Sequence, residues 1–250
     1  MFSIDNIAQA QADFTEKRYC VIDNVLEDRY IQALYNSVPE LEYQVRAKAG
    51  DKQFTSDPNF YNSDQFESTL QEYIEYAKGK FSYFHNVYVA AKDKRVHSNP
   101  LVTEFNHVVT EDYSVLKPDY TFHDLASKVT GFPNMVAKNG NYGYYDYQSW
   151  LKIHNDVRRW CAYIFYFNKT WEPDWGGQLC IMDETNKSIK ESIIPYGNRL
   201  VLMDVSKVDI NTHFVSPVSI GADHPRYSLS GWFYQKDKDG PGPEKRLTNP

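Results

Sequence analysis

Trp160–Phe167 reads WCAYIFYF, a dense aromatic and β-branched run closed by Asn168. Such a run predicts a β-strand. Four more short strands follow it: Gly176–Met182, Arg199–Met203, His213–Val218 and Tyr227–Tyr234. Pro173, Gly176-Gly177, Pro195, Gly197, Pro217 and Pro225 punctuate them. Several short strands at regular spacing predict a sandwich or barrel. The texture is different before about Met135. Arg18–Asn24 reads as a strand, and Glu27–Val38, Phe66–Phe81, Pro100–Thr110 and Thr121–Thr130 read as helices from their apolar spacing. Gly131-Phe132-Pro133 stops the last of them. Helices first and strands second predict an α+β fold in one domain.

Composition narrows the function classes. The chain has 250 residues, 42% hydrophobic and 24% charged, an ordinary globular balance that argues against disorder. The net charge of −6, with no basic stripe, argues against nucleic acid as a partner. The longest unbroken apolar run is the seven residues Cys161–Phe167, against the roughly 20 that a membrane helix needs. Mean hydropathy is −0.61, so no membrane association is expected. The opening MFSIDNIAQAQADF lacks the basic and apolar regions of a secretory signal. Cys20, Cys161 and Cys180 are odd in number and widely spaced, which predicts buried thiols in a reducing, cytoplasmic setting. Tyrosine is in excess at 20 residues, which suggests a partly polar interior or cleft.

Two segments carry chemistry. In Ile153-His154-Asn155-Asp156, alternation along a strand sends His154 and Asp156 to one face. An imidazole and a carboxylate so placed can bind one metal ion. A third ligand from elsewhere would complete the 2-His-1-carboxylate arrangement of non-haem Fe(II) oxygenases. His213 opens a predicted strand further on. The second segment, Arg226-Tyr227-Ser228-Leu229-Ser230, puts Arg226, Ser228 and Ser230 on one face. Guanidinium and hydroxyl together form a socket for a carboxylate.

These segments resemble the Fe(II)/2-oxoglutarate-dependent dioxygenases, in the prolyl-4-hydroxylase-like branch. The resemblance runs over about Phe122–Gln235, through FHDLASKVTGFPNM, LKIHND, YFNKTWEPDWGGQL, GNRLVLMD, HFVSPV and RYSLSGWF in that order. It implies a double-stranded β-helix, or jelly-roll, core with N-terminal helices packed on its major sheet. It implies Fe(II) held by His154, Asp156 and His213, with O₂ and 2-oxoglutarate as cosubstrates. It further implies that Arg226 pairs with the distal carboxylate of 2-oxoglutarate, helped by Ser228 and the Tyr166 hydroxyl. One of Tyr142, Tyr144 and Tyr145 would line the same pocket, Tyr144 first among them.

Residues 1–236 are expected to form one domain, helical and lid-forming to about 134 and jelly-roll from about 135; 237–250 reads as a mobile tail. Residues from about Val45 to Tyr120 carry no signature and are expected to supply lid and substrate walls. Arg158 shares the parity of His154 and is a candidate for a substrate carboxylate, against a solvated Arg158-Arg159 turn. Trp232 is a candidate pocket wall, against plain core packing, and His224 a candidate substrate contact. His85, His97, His107 and His123 read as incidental. The reaction expected is hydroxylation of an aliphatic C–H, with succinate and CO₂ as coproducts. The substrate expected is a free amino acid or other small molecule. A prolyl or other side chain of a protein, desaturation or cyclisation, and a non-catalytic metal-binding jelly roll are the alternatives.

Overall fold

Both faces of the decisive run are covered. In the computed structural model, which describes residues 1–2, 7–58, 60–89, 98–109, 121–156, 159–208 and 210–235, the strand spans Cys161–Tyr166. Cys161, Tyr163 and Phe165 face a core built with the helices, whereas Ala162, Ile164 and Tyr166 face the interior of the sheet. A strand buried on both sides has no polar face to alternate with, which is why its sequence is an unbroken apolar run.

The elements in chain order are α1 (Ile7–Lys17), β1 (Tyr19–Asp23), α2 (Asp28–Ser37), β2 (Gln44–Ala49), β3 (Lys52–Pro58), α3 (Phe66–Tyr76), β4 (Ser82–Val89), α4 (Pro100–Val109), α5 (Phe122–Thr130), β5 (Met135–Tyr145), β6 (Trp150–His154), β7 (Cys161–Tyr166), β8 (Leu179–Met182), β9 (Ile189–Ile193), β10 (Arg199–Asp204), β11 (His213–Val215) and β12 (Arg226–Gln235). The strands pair antiparallel in the order β1-β10-β7-β12-β5-β4-β6-β11-β8-β9, with β2 and β3 added beside β4. The sheet curls, so β1, β10, β7, β12 and β5 form one wall and β6, β11, β8 and β9 the other. This is the jelly-roll core of an α+β fold, with α1, α2, α4 and α5 on the outside of the first wall.

Local chemistry explains how the helices are held. α5 buries Phe122, Leu125, Ala126 and Val129, an i, i+3, i+4, i+7 stripe. It starts with a capping box: Thr121 Oγ1 accepts from the Asp124 N–H at 3.0 Å, and the Asp124 carboxylate accepts from the Thr121 N–H at 3.1 Å. It stops at Gly131, at φ 73°, where a residue with no Cβ is favoured.

The main difference from expectation lies between residues 44 and 89. That stretch holds β2, β3 and β4 rather than loops, and β4 bridges β5 to β6. The signal was present in QVRAKA, where Val45, Ala47 and Ala49 are buried and Gln44, Arg46 and Lys48 are not. The edge strand β9 was also missed, because four of its five residues are exposed. The strand expected over His213–Val218 ends at Val215, since Pro217 has no N–H to give to a ladder.

The Gly176-Gly177 turn before β8 fixes the second wall. Gly176 sits at φ 72°, and a Cβ there would collide with the Pro217 carbonyl oxygen. Gly176→Ala is therefore expected to lower stability by about 1–3 kcal/mol, read as a fall in the urea midpoint at unchanged m. A midpoint equal to that of the wild type would show that the turn relaxes freely.

Among the described residues no helix is long and apolar enough to cross a membrane. The expected 237–250 tail lies outside the described residues.

Candidate active site

Strand pairing brings the two metal-ligand candidates from distant sequence together. His154 ends β6, His213 opens β11, and the two are register partners. Their ring centroids are 4.3 Å apart. Asp156 follows two residues after β6 and divides its carboxylate between them, Oδ1 at 3.7 Å from His154 Nε2 and Oδ2 at 3.7 Å from His213 Nε2. One donor atom from each residue lies within 4.8 Å of the others, a spacing suited to a single ion. This is a 2-His-1-carboxylate facial triad.

The outer nitrogens are already committed. His154 Nδ1 lies 2.9 Å from the Lys152 carbonyl, and His213 Nδ1 lies 2.8 Å from the Asn211 carbonyl. Donation to a carbonyl places the proton on Nδ1 and leaves the Nε2 lone pair for a metal. Asn211 is itself held, in a left-handed conformation at φ 50°, by side-chain donation to the carbonyls of Arg18 and Asp204 at 2.8 and 2.9 Å. Burial, then the neighbouring His154, push the His213 pKa down to about 4. The ring is thus neutral at pH 7, as metal ligation requires.

Arg226, the first residue of β12, is 2% exposed. Its Nη1 donates to Ser228 Oγ at 3.3 Å and its Nη2 to the Tyr166 hydroxyl at 3.2 Å. The guanidinium carbon lies 4.8 Å from the Tyr166 ring centroid and 5.1 Å from that of Tyr145. Nε has no hydrogen-bond partner, and among the described residues no carboxylate pairs with the group. A buried cation without a counter-ion is costly, so this site fits an anion that completes it. The donor set suits the distal carboxylate of 2-oxoglutarate.

The other expected residues divide. Tyr144 is corrected: it packs against Tyr43 and Tyr227, at 4.8 and 5.8 Å, on the helix-covered face, because alternation along β5 turns it away from Arg226. Tyr142 shares that face and donates to Asn106. Tyr145 is the one that meets the guanidinium. Trp232 packs against the interior cluster that includes Tyr166, and its buried indole N–H has no partner. His224 lies in a side knot, its rings' neighbours being Trp171 and Trp175, with a nitrogen 2.9 Å from each of the Pro225 and Thr170 carbonyls. Arg158 lies outside the described residues, as does His97.

His85 was missed. It lies on β4, stacked on Tyr145 with centroids 4.9 Å apart and planes at 4°. The legible signal was the alternation in SYFHNVYV, where Phe84 packs on α3 and Tyr83 and His85 turn the other way. Burial first, then the Arg46 guanidinium, push the His85 pKa down to about 3. The sign follows directly. The unfolded chain takes up this proton near pH 6.5 and the folded chain does not, so the stability present above pH 6.5 is lost as pH falls toward 3. His85→Gln is expected to flatten the fall of the urea midpoint between pH 7 and pH 5 in metal-free protein. An unchanged slope would place the proton uptake elsewhere.

Comparison with known proteins agrees with the fold and the triad. The 2OG-Fe(II) oxygenase superfamily matches residues 140–234. Prolyl 3-hydroxylase OGFOD1 of Mus musculus is 29% identical over 189 residues, 71% of this chain but 32% of the relative, so the chain spans about a third of the length of that protein. A prolyl hydroxylase from Trichoplax adhaerens, solved in complex with a hypoxia inducible factor oxygen degradation domain peptide fragment, superposes with a TM-score of 0.58 at 17% identity, covering 92% of this chain and 90% of that one. A Pseudomonas putida prolyl-4-hydroxylase gives 0.54 at 14% identity, covering 94% and 98%. Residues 140–234 of the chain thus resemble the 2OG-Fe(II) oxygenase superfamily, and its fold resembles those of the two prolyl hydroxylases. The facial triad lies within the matched stretch and suits the chemistry of that superfamily. The expectation of a free amino-acid or small-molecule substrate is overturned by the prolyl 3-hydroxylase and peptide-complex relatives, and is withdrawn.

Proposed function

We propose that the protein hydroxylates a prolyl residue within a polypeptide. The observation that carries this is the relationship to a prolyl 3-hydroxylase over 71% of the chain. In this reading His154, Asp156 and His213 hold Fe(II). Arg226 takes the distal carboxylate of 2-oxoglutarate, with Tyr166 and Ser228 orienting the guanidinium and Tyr145 and Trp232 walling the pocket. Fe(II), 2-oxoglutarate and O₂ supply the oxidation, which leaves a hydroxylated C–H, succinate and CO₂. The protein's part is position: carbonyl-anchored imidazoles, a cosubstrate fixed at one end, and a wall of rings that limits water. Residues 1–236 act as one catalytic domain. Three free, buried cysteines support a reducing, cytoplasmic compartment.

The test is a panel of proline-containing peptides incubated with Fe(II), 2-oxoglutarate and air. The expected result is a peptide heavier by one oxygen on proline, with equivalent succinate. Oxidation of another side chain, or a product lighter by two hydrogens, would replace the reading.

A further inference from the structure

A second guanidinium faces the same interior as Arg226 and has no counter-ion among the described residues. β2 packs Val45, Ala47 and Ala49 against α3, so Arg46 and Lys48 project to the opposite side. β4 does the same with Phe84, leaving Tyr83 and His85 beside them, and the register pairs Arg46 with His85 and Lys48 with Tyr83. A continuous arc of rings then ties this face to the active site. Phe81 lies 5.5 Å from His154 and 6.1 Å from Tyr83. Tyr83 lies 5.4 Å from His85, and His85 stacks on Tyr145, which meets Arg226. Arg46 therefore stands along the path from the metal ligands to the cosubstrate socket, outside both. Its charge is close enough to act on the Tyr83 hydroxyl as well as on His85.

Two other cations of this part of the chain are matched: Lys52 pairs with Glu72, and Lys78 with Glu75. Among the described residues no carboxylate pairs with Arg46 or Lys48, although both are half-buried. A chain of net charge −6 has enough carboxylates to neutralise them, yet leaves this inner face cationic. A planar guanidinium in such a place recognises a carboxylate with two parallel hydrogen bonds.

We propose that Arg46 binds an acidic side chain of the substrate polypeptide, near the residue to be oxidised. This rests on the polypeptide-substrate reading above. Arg46 sets specificity and takes no part in the oxidation. Arg226 holds one carboxylate, that of the cosubstrate, and Arg46 holds another, that of the substrate, with the His85–Tyr145 stack between them. His85, neutral at pH 7, separates the two cations without adding a third.

The experiment uses fluorescently labelled peptides with one central proline, matched except that the flanking positions carry Glu, Gln or Lys. Binding to the full chain is measured by anisotropy without oxygen, with Fe(II) and 2-oxoglutarate present, so that turnover does not compete. The wild type is expected to bind the Glu set about tenfold more tightly than the Gln set, a preference that salt weakens. Arg46→Gln should erase the preference and leave Gln-peptide binding unchanged, Arg46→Lys should keep part of it, and Arg46→Glu should shift it to the Lys set. A Glu preference that survives Arg46→Gln overturns the proposal. So does a variant whose only defect is a raised KM for 2-oxoglutarate, since Arg46 would then serve the cosubstrate. The two readings fail separately. Arg46-dependent binding of Glu peptides with no proline oxidised would refute prolyl hydroxylation and support Arg46. Equal oxidation of Glu and Gln peptides would do the reverse.

Discussion

Asp156→Ala is expected to weaken Fe(II) binding by more than about 100-fold and to abolish succinate formation, because mutation of residues that merely support metal ligands already costs about 10–100-fold. The carboxylate is the sole anionic donor of the triad, and it stands 3.7 Å from both Nε2 atoms. Without it, the site is two neutral imidazoles, and the positive ion gains no charge neutralisation from the protein. The fold does not depend on Asp156. Its side chain is 17% exposed just past a strand end, and among the described residues it faces the two histidines. Metal-free wild type and variant should therefore unfold at nearly the same urea concentration. They should part when Fe(II) is added. At 100 times its dissociation constant the ion stabilises the wild type by about 2.7 kcal/mol, and the variant should gain almost none of this. That difference is read without turnover, so it separates loss of metal from loss of chemistry. A variant that still gains full stability with Fe(II) would remove Asp156 from the metal site.

What could be read from sequence depended on how each signal is carried. The triad was legible because its signals are local: His154 and Asp156 share a short segment, although β6 ends at His154 and Asp156 lies two residues beyond it, and His213 opens a strand of its own. Arg226 and Ser228 were legible for the same reason. The choice of Tyr144 failed on one residue of phase. The resemblance points to the strand before β6 but not to its phase, and a one-residue shift of phase turns every side chain to the other face. Counting along β5 itself from the helix-facing Tyr142 gives Tyr145 as the inward ring. The region around β2 and β4 was opaque for another reason. Its alternation mixes Ala with Lys and Arg, and small apolar residues give a weak hydrophobic signal. Long-range pairing to β5 and β6, which no local pattern encodes, makes those strands part of the site. His85 and Arg46 were hidden with them.

Arg226→Met is expected to raise the KM for 2-oxoglutarate on the order of 100-fold while leaving the cosubstrate-free protein no less stable than the wild type. The first half follows from two charge-assisted hydrogen bonds to a carboxylate, each worth about 1.5–3 kcal/mol. The second half runs against the usual cost of altering a side chain that is 2% exposed. Large buried residues normally lose stability on substitution because contacts vanish. Here the side chain is a cation whose contacts are hydrogen bonds to two neutral hydroxyls, those of Ser228 and Tyr166, and two aromatic faces. Each of these bonds, donated by a charged group, returns about 1.5–3 kcal/mol, a gain that the several kcal/mol cost of the uncompensated buried charge offsets. Methionine has a similar length, carries no charge and packs well against rings. The balance tips toward the variant until 2-oxoglutarate arrives, and then reverses, since only the wild type gains a buried ion pair. Urea midpoints with and without saturating 2-oxoglutarate should therefore cross. If Arg226→Met is strongly destabilised without cosubstrate and keeps its 2-oxoglutarate affinity, Arg226 is a structural cation and the socket must be sought elsewhere on β12.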